Sequence, residues 1–396
     1  MNESSAPIRR PLRLAVLCPH FAPDTAPTGE VITRIVLELA ALGHEVHVIT
    51  ALPWYREHRI EAGWEGKAWR REGTEWGSIT RVSPFPGGDK RNLARRALGF
   101  AGFSALAGMA SLSGGRVDAV IAMSPPLTMG LTGWATHLVR RGPLVFNIQD
   151  VFPDAAIETG AITNRRIIAV ARWLERVSYH RAAAITVLSD DLRDNVAAKL
   201  KSGRRGSVHV IPNFVDTEVI QPADRMTSLR DELGIGDEPV VLYAGNVGFS
   251  QSLEMVIDAA RELPHATFLI NGDGAARRML EERAAGMANV RFSGYQPKER
   301  VPEVLATGDI HLVPLKQGLG RVSVPSKTYS ILAAGRPVLA AIDPGTEVPR
   351  MLVASGGGVA VPPDDLTAFT GALRDLLSDL DGAAAMGARG RAWVQD

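Results

Sequence analysis

The sequence predicts an α/β protein built of two halves, each a parallel sheet flanked by helices. Three observations carry this. Short apolar runs alternate with amphipathic segments at helical spacing from one end of the chain to the other, the order of repeated strand–helix units. The first run, residues 12–18, is apolar apart from Arg13 and does not alternate, as a strand covered on both faces does not. The length of 396 residues exceeds one ordinary core and suits two.

Element by element, the first strand leads into a turn-rich loop at 20–29. Val31, Ile32, Ile35, Val36 and Leu39 then share one helical face, and Gly43 supplies a left-handed stop. A strand follows at 45–50. Residues 56–77, with Trp64, Trp69 and Trp76, read as an irregular insertion. Further strands are expected at 78–82, 117–122, 143–148, 183–188 and 209–213, with helices between them. The stretch 215–239, with Pro222, Asp224 and Gly236, reads as loop and marks the boundary, giving domains 1–213 and 214–396. A second series then runs through strands at 240–244, 267–270, 290–293, 310–313, 338–342 and 359–361. Its helices are expected at 253–262, 277–285, 298–306, 326–334 and 347–353. Two such halves facing each other would form a cleft between the carboxyl ends of their sheets, where open α/β sheets bind ligands.

Composition narrows the chemistry. The formal net charge of +1 gives no global attraction to nucleic acid, and the 45% hydrophobic and 22% charged residues are the balance of a soluble chain. The lone cysteine, Cys18, excludes an internal disulfide and a multi-cysteine zinc site, and fits a reducing cytoplasm. No run reaches the roughly 18 apolar residues a spanning helix needs. The nearest, 97–112, is uncharged and follows Arg91, Arg95 and Arg96. It reads either as a packing helix rich in Gly and Ala or as a helix that touches an anionic membrane face without crossing it.

Strand ends facing the expected cleft are the places to seek a site. In the first half, Thr28 caps a helix that Gly29 opens, where backbone N–H groups could meet an anion and a glycine lets a ligand come close. Ser124, Gln149 and Asp150 also follow strands, and Asp150 is the best cleft acid. In the second half, Gly245 and Asn246 begin a loop through Gln251 that forms a nest of donors. Gly272 ends the next strand, and Tyr295 with Gln296 ends the third, placing an aromatic where a planar base could lie. The sharpest local signal is at 318–329. Pro325 precedes a helix whose first turn presents Ser326, Lys327 and Thr328, yet a lysine there opposes the helix dipole. Either an anion held with the help of Arg321 resolves that conflict, or the lysine is solvated at a cost of a few tenths of a kcal/mol. Glu347 starts another helix, where it either complements the dipole or accepts two hydroxyls. Asp379 and Asp381 have metal-pair spacing but sit at a helix end, Asp190 and Asp191 cap a helix, and no metal signature is present.

These residues together resemble glycosyltransferase family 4, whose members are retaining sugar-nucleotide transferases of the GT-B fold. The resemblance covers nearly the whole chain. It rests on the Gly29 loop, GHEV at 43–46, VIPNFVD at 210–216, AAGRPV at 333–338 and GTE at 345–347. Within the family, QDVFP at 149–153, SPP at 124–126, GNVG at 245–248 and VPSKTY at 324–329 resemble the bacterial L-fucosamine-transferase-like branch of surface-polysaccharide assembly. The resemblance implies two facing Rossmann-like domains. It implies a nucleotide-diphosphate sugar, UDP-linked, held by the C-terminal domain without a metal or other cofactor, and a glycan or lipid-linked sugar acceptor on the N-terminal side. It assigns Asp150, Lys327 and Arg321 to catalysis. The donor falls to Gly245, Asn246, Gln251, Gly272, Tyr295, Gln296, Ser326, Thr328 and Glu347, and the acceptor to Thr28, Gly29, Ser124 and Gln149. It implies a cytoplasmic protein, peripheral on the inner face of the plasma membrane, and a closing helix beyond Trp393. This chain departs from the pattern at six positions. Asn246 and Gln251 replace the cations of the phosphate loop, Val322 and Ser330 replace the family's two glutamates, Phe214 replaces a glycine, and Gln149 replaces a histidine. Two other readings fit the same scaffold: a sugar-nucleotide epimerase, and a nucleotide-sugar-binding partner with weakened catalysis.

Overall fold

A computed structural model describes residues 10–56, 59–85 and 93–396. Its contacts divide the chain into two units, one of Met1–Asp154 and Ile162–Ile211, the other of Ala155–Ala161 and Pro212–Asp396. The single boundary expected after 213 thus falls after 211, and a short segment near 155–161 packs with the second unit.

The first unit holds β1 (Arg13–Leu17), β2 (Glu45–Ala51), β3 (Trp69–Thr74), β4 (Gly77–Val82), β5 (Ala119–Ser124), β6 (Leu144–Ile148), β7 (Ala184–Val187) and β8 (Val208–Val210). They form one sheet in the order β3-β4-β2-β1-β5-β6-β7-β8. Every neighbouring pair is parallel except β3 with β4. Leu14 to Leu17 are all buried, which accounts for the unbroken apolar run. The helix Pro27–Ala41 lays Ile32 and Val36 into the same cluster as Leu14, Val16 and Val46. Full burial of each contributes roughly 1.5–3 kcal/mol.

The insertion at 56–77 is more ordered than its composition suggests. β3 pairs antiparallel with β4 along Trp69–Thr74, although its sequence WRREGT has no apolar alternation. Charge holds it instead. Arg81, 2% exposed, reaches Glu72 at 3.2 Å, and the guanidinium groups of Arg70 and Arg81 lie over the Trp64 ring at 4.4 and 4.9 Å. The Ala- and Gly-rich segment forms the helix Leu93–Leu112, which packs on the helix Thr128–Arg140. Arg91 and the side chains of Arg95 and Arg96 lie outside the described residues. Among those residues no helix is long and apolar enough to cross a membrane.

The second unit holds β9 (Val240–Ala244), β10 (Thr267–Asn271), β11 (Val290–Ser293), β12 (Ile310–Pro314), β13 (Val338–Ala341) and β14 (Gly358–Val361). All are parallel, in the order β11-β10-β9-β12-β13-β14. The stretch expected as loop at 215–239 contains the helix Ser228–Leu233. Arg230 anchors it. Fully buried, Arg230 donates to the carbonyls of Thr307, Gly236 and Glu238 and to Asp309 at 2.8 Å, tying the helix to the bases of β9 and β12. Asp379 caps the final helix, Leu380–Gln395, by accepting from the Gly382 N–H at 2.8 Å. Ser189, not Asp190 or Asp191, caps the helix Asp190–Ala198. From the final helix Arg391 donates to the carbonyls of Thr217, Ile220 and Ala333 at 2.7–2.9 Å.

Candidate active site

The strand order of the second sheet locates its crevice. β9 lies between β10 and β12, so the chain winds outward in both directions from β9. The loops after β9 and β12 therefore diverge at the carboxyl edge, the place where such sheets bind ligands.

Lys327 fills this switch point. It is the first residue of the helix Lys327–Ala333 that follows β12, and its Nζ sits 3.6 Å from the centre of the Tyr243 ring, near the end of β9. A β-carbon on Gly245 would stand 2.9 Å from that Nζ. The amine is buried and has no hydrogen-bond partner among the described residues. Desolvation alone lowers its pKa from 10.5 to about 7. A desolvated cation–π contact returns about 2 kcal/mol, whereas burying an unpaired ammonium costs several. The burial penalty wins, so an anion beside the amine would be stabilising there.

Two glycines shape the approach to that amine. Gly272 (φ +140°) ends β10 so close to the neighbouring loop that a β-carbon would lie 1.9 Å from the Gly245 carbonyl oxygen. Gly245 (φ +137°) likewise takes a backbone conformation open mainly to glycine. The Val247 N–H donates to Asp273 and the Ala276 N–H to Val247, both near 3.0 Å, so the two loops are stitched together. Asn246 is exposed, with its carbonyl accepting from the Tyr243 hydroxyl at 2.6 Å. Gln251 accepts from the Gly248 N–H at 3.1 Å and braces the loop. Tyr295 is half exposed and donates to the Asp273 carbonyl, while Gln296 is tied to Ser293 and Arg300.

On the other side of the crevice, Asp343 accepts from the N–H groups of Gly318 and Gly320 at 2.9–3.0 Å and fixes the turn Leu319–Arg321. Arg321 is exposed on that turn, and Ser326 is exposed just before the helix. Thr328 corrects an expectation. It is fully buried and its hydroxyl donates to the Pro325 carbonyl at 2.9 Å, so it braces the helix start and offers nothing to a ligand. Glu347 begins the helix Glu347–Ser355 and pairs with Arg350 at 2.9 Å. Burial and the Glu347 charge push the nearby Tyr329 hydroxyl up to about 12, so it stays protonated. The sheet thus brings Lys327, Gly245, Gly272 and the Arg321 turn to one edge.

In the first sheet the loops after β1, β5 and β6 are neighbours, which collects Thr28, Gly29, Ser124, Gln149 and Asp150 along its carboxyl edge. Three details correct the sequence reading. Thr28 is no cap, because the helix begins at Pro27. The space at Gly29 is taken by His20, whose Cβ a new β-carbon would meet at 2.9 Å. Gln149 is buried and donates to Asn147 at 2.7 Å. The Ser124 hydroxyl is buried without a hydrogen-bond partner among the described residues, and Asp150 is half-buried. Sequence reasoning missed the group beside them. His20 Nδ1 lies 2.7 Å from Asp24, which is 3% exposed and also accepts from the Tyr55 N–H. The imidazole stacks on Trp54 at 5.5 Å. A carboxylate on one ring nitrogen orients the other to accept or hand on a proton. The only signal was the four-residue spacing of His20 and Asp24 in the loop after the first strand.

Two family models match this chain, a glycosyl transferase 4-like domain over residues 28–213 and glycosyl transferases group 1 over 238–379. The chain belongs to glycosyltransferase family 4. The glycosyltransferase is 28% identical over 381 residues to the Escherichia coli (strain K12) protein named for colanic acid biosynthesis, glycosyl transferase WcaI, with 92% of each chain covered. Solved structures show the fold. Sucrose-phosphate synthase from Thermosynechococcus elongatus matches with a TM-score of 0.73 at 17% identity, over 97% of this chain and 94% of that one. Anabaena HepE, in complex with UDP and glucose, matches with a TM-score of 0.70 at 15% identity, over 97% and 95%. The enzyme therefore has the GT-B fold class expected from its sequence. The assignment as a glycosyltransferase also sets aside the epimerase and the non-catalytic partner.

Proposed function

We propose that the enzyme transfers a sugar, with retained anomeric configuration, from a UDP-linked nucleotide sugar to a glycan or lipid-linked sugar acceptor in surface-polysaccharide synthesis. The observation that carries this is the Lys327 amine, buried and without a hydrogen-bond partner among the described residues at the switch point of the second sheet. A departing diphosphate is the anion this family releases, and a fixed cation at its oxygens stabilises the charge that develops as the glycosidic bond breaks. Arg321 on its exposed turn shares that charge, so no resident metal or other cofactor is required. The nest at Gly245–Ser252 and the edge at Gly272 hold the phosphates and ribose, Tyr295 flanks the base, and Glu347 takes donor hydroxyls. Asp150, with the loop after β1, orients the acceptor. The name of the E. coli relative supports the polysaccharide setting, and the contents of the Anabaena structure support UDP. A cytoplasmic enzyme working peripherally at the inner membrane face would meet both substrates.

A panel of UDP- and GDP-sugars tests the donor: UDP-sugars should raise the melting temperature and GDP-sugars should not. With a matched acceptor, product NMR should show the donor's anomeric configuration, and EDTA should leave turnover unchanged. An inverted product or selective stabilisation by GDP-sugars overturns the reading.

The amine also sets a pH dependence. Free Lys327 has a pKa of about 7, and a docked diphosphate restores the charged form. UDP binding should therefore be strongest below about pH 7 and weaken by about tenfold per unit above it, until the pKa of the bound state is reached. Stability of the unliganded protein runs the other way. Its folded pKa lies below the unfolded 10.5, so the folded state binds fewer protons and gains stability as pH rises from 7 to 10.5. Calorimetry in buffers of different ionisation enthalpy should detect proton uptake near pH 8, and Lys327→Met should abolish it.

A further inference from the structure

A second charged site lies at the other end of the first sheet. A pocket of about 270 Å³ opens toward the amino edge, where β1 and β2 begin and the helix Leu93–Leu112 ends. Its lining sets three guanidinium groups, Arg13, Arg71 and Arg140, against one carboxylate, Glu45. Arg13 is paired with Glu45 at 2.9 Å. Arg71 is exposed and makes no hydrogen bond or ion pair with the described residues.

Arg140 is the decisive member. It is 4% exposed, yet the only hydrogen bond its side chain makes among the described residues runs from Nε to the Gly115 carbonyl at 2.9 Å. Its two terminal nitrogens make no hydrogen bond with the described residues and are open to the cavity that Arg140 lines. The equally buried Arg230, whose role is structural, uses all three of its nitrogens on carbonyls and a carboxylate. Bonding a single carbonyl explains the Nε of Arg140 but not a guanidinium that lines a cavity shared with two more arginines. His47 adds no positive charge. Burial lowers its proton affinity, Glu45 raises it, and Arg140, Arg13 and Arg71 lower it further. The pocket therefore carries an uncompensated double positive charge.

We propose that this pocket binds a phosphate monoester, with the open fork of Arg140 as anchor and Arg71 and Arg13 completing the clamp. A dianion matches the surplus charge, and paired guanidinium forks match phosphate geometry. The volume leaves room for an organic group on the phosphate. That group belongs either to a small soluble metabolite or to a lipid whose headgroup enters the pocket. Met109 and Leu112, both exposed, neighbour the pocket-lining Ala110 and Ser113 in sequence, where a lipid's chains would lie.

Equilibrium dialysis of the full chain with glycerol 3-phosphate, and with glycerol as control, tests the soluble source. Co-sedimentation with phosphatidic acid vesicles, against phosphatidylcholine vesicles, tests the lipid source. Arg71→Ser and Ser113→Glu both change exposed positions in the lining, so neither threatens the core. Each should weaken the phosphate-bearing probe by about tenfold or more and leave UDP binding unchanged. Binding of glycerol 3-phosphate assigns a metabolite, and binding of phosphatidic acid vesicles alone assigns a headgroup. The proposal is overturned if neither phosphate probe binds, if glycerol binds as well, or if binding ignores both substitutions. It is also overturned if Lys327→Met, rather than the pocket variants, removes binding.

Discussion

Lys327→Met is expected to lower turnover by about a hundred- to a thousandfold, the usual loss when one electrostatic contact to the transition state is deleted. The same variant should melt at a higher temperature. Methionine fills the volume over the Tyr243 ring without the desolvation cost that the amine carries. Each kcal/mol recovered raises the melting temperature of a unit this size by about 2–4 °C. The two outcomes separate function from structure. A side chain kept for packing would lose stability along with activity, whereas one kept for chemistry trades stability for rate. Single-turnover rates, read beside thermal melts, decide between them. A fall in both would return Lys327 to the framework.

Gly272→Ala should have the largest effect of any single methyl group in the second unit. The added carbon meets the Gly245 carbonyl oxygen at 1.9 Å and the Gly245 carbonyl carbon at 2.9 Å, and the backbone at φ +140° resists any L side chain. Both partners are main chain, so no rotamer change relieves the clash. A loss of about 3 kcal/mol or more is expected, together with displacement of the Gly245 loop from Lys327. Gly294→Ala is the control, since a β-carbon there meets nothing within 4 Å. Urea midpoints should differ widely between the two variants, and UDP binding should fail only in the first.

The sheets were legible in the sequence because their strands are buried on both faces. Such strands must be written as unbroken apolar runs, as at Leu14–Leu17 and Val240–Tyr243. What escaped notice follows different physics. β3 is an edge strand held by Arg81, Glu72 and Trp64, so its residues carry no alternation to read. The helix Ser228–Leu233 depends on bonds from Arg230 to the Thr307 carbonyl and the Asp309 carboxylate, 77 and 79 positions away, which no local window contains. The site divides in the same way. Lys327 stood out because a cation at a helix start breaks a local rule, while its partner ring, Tyr243, looked like any strand residue. Thr328 looked available for the opposite reason: its hydroxyl partner is a nearby carbonyl whose direction only the fold reveals. His20 and Asp24 were hidden by the turn that brings them together.

Arg391 makes the last helix more than a cover. By gripping the carbonyls of Thr217 and Ile220 with the same guanidinium that holds Ala333, it fastens the segment leading into the second unit to the tail of the helix that Lys327 begins. About two turns of helix separate that three-way clasp from the buried amine, so the last helix sets where the helix carrying Lys327 ends.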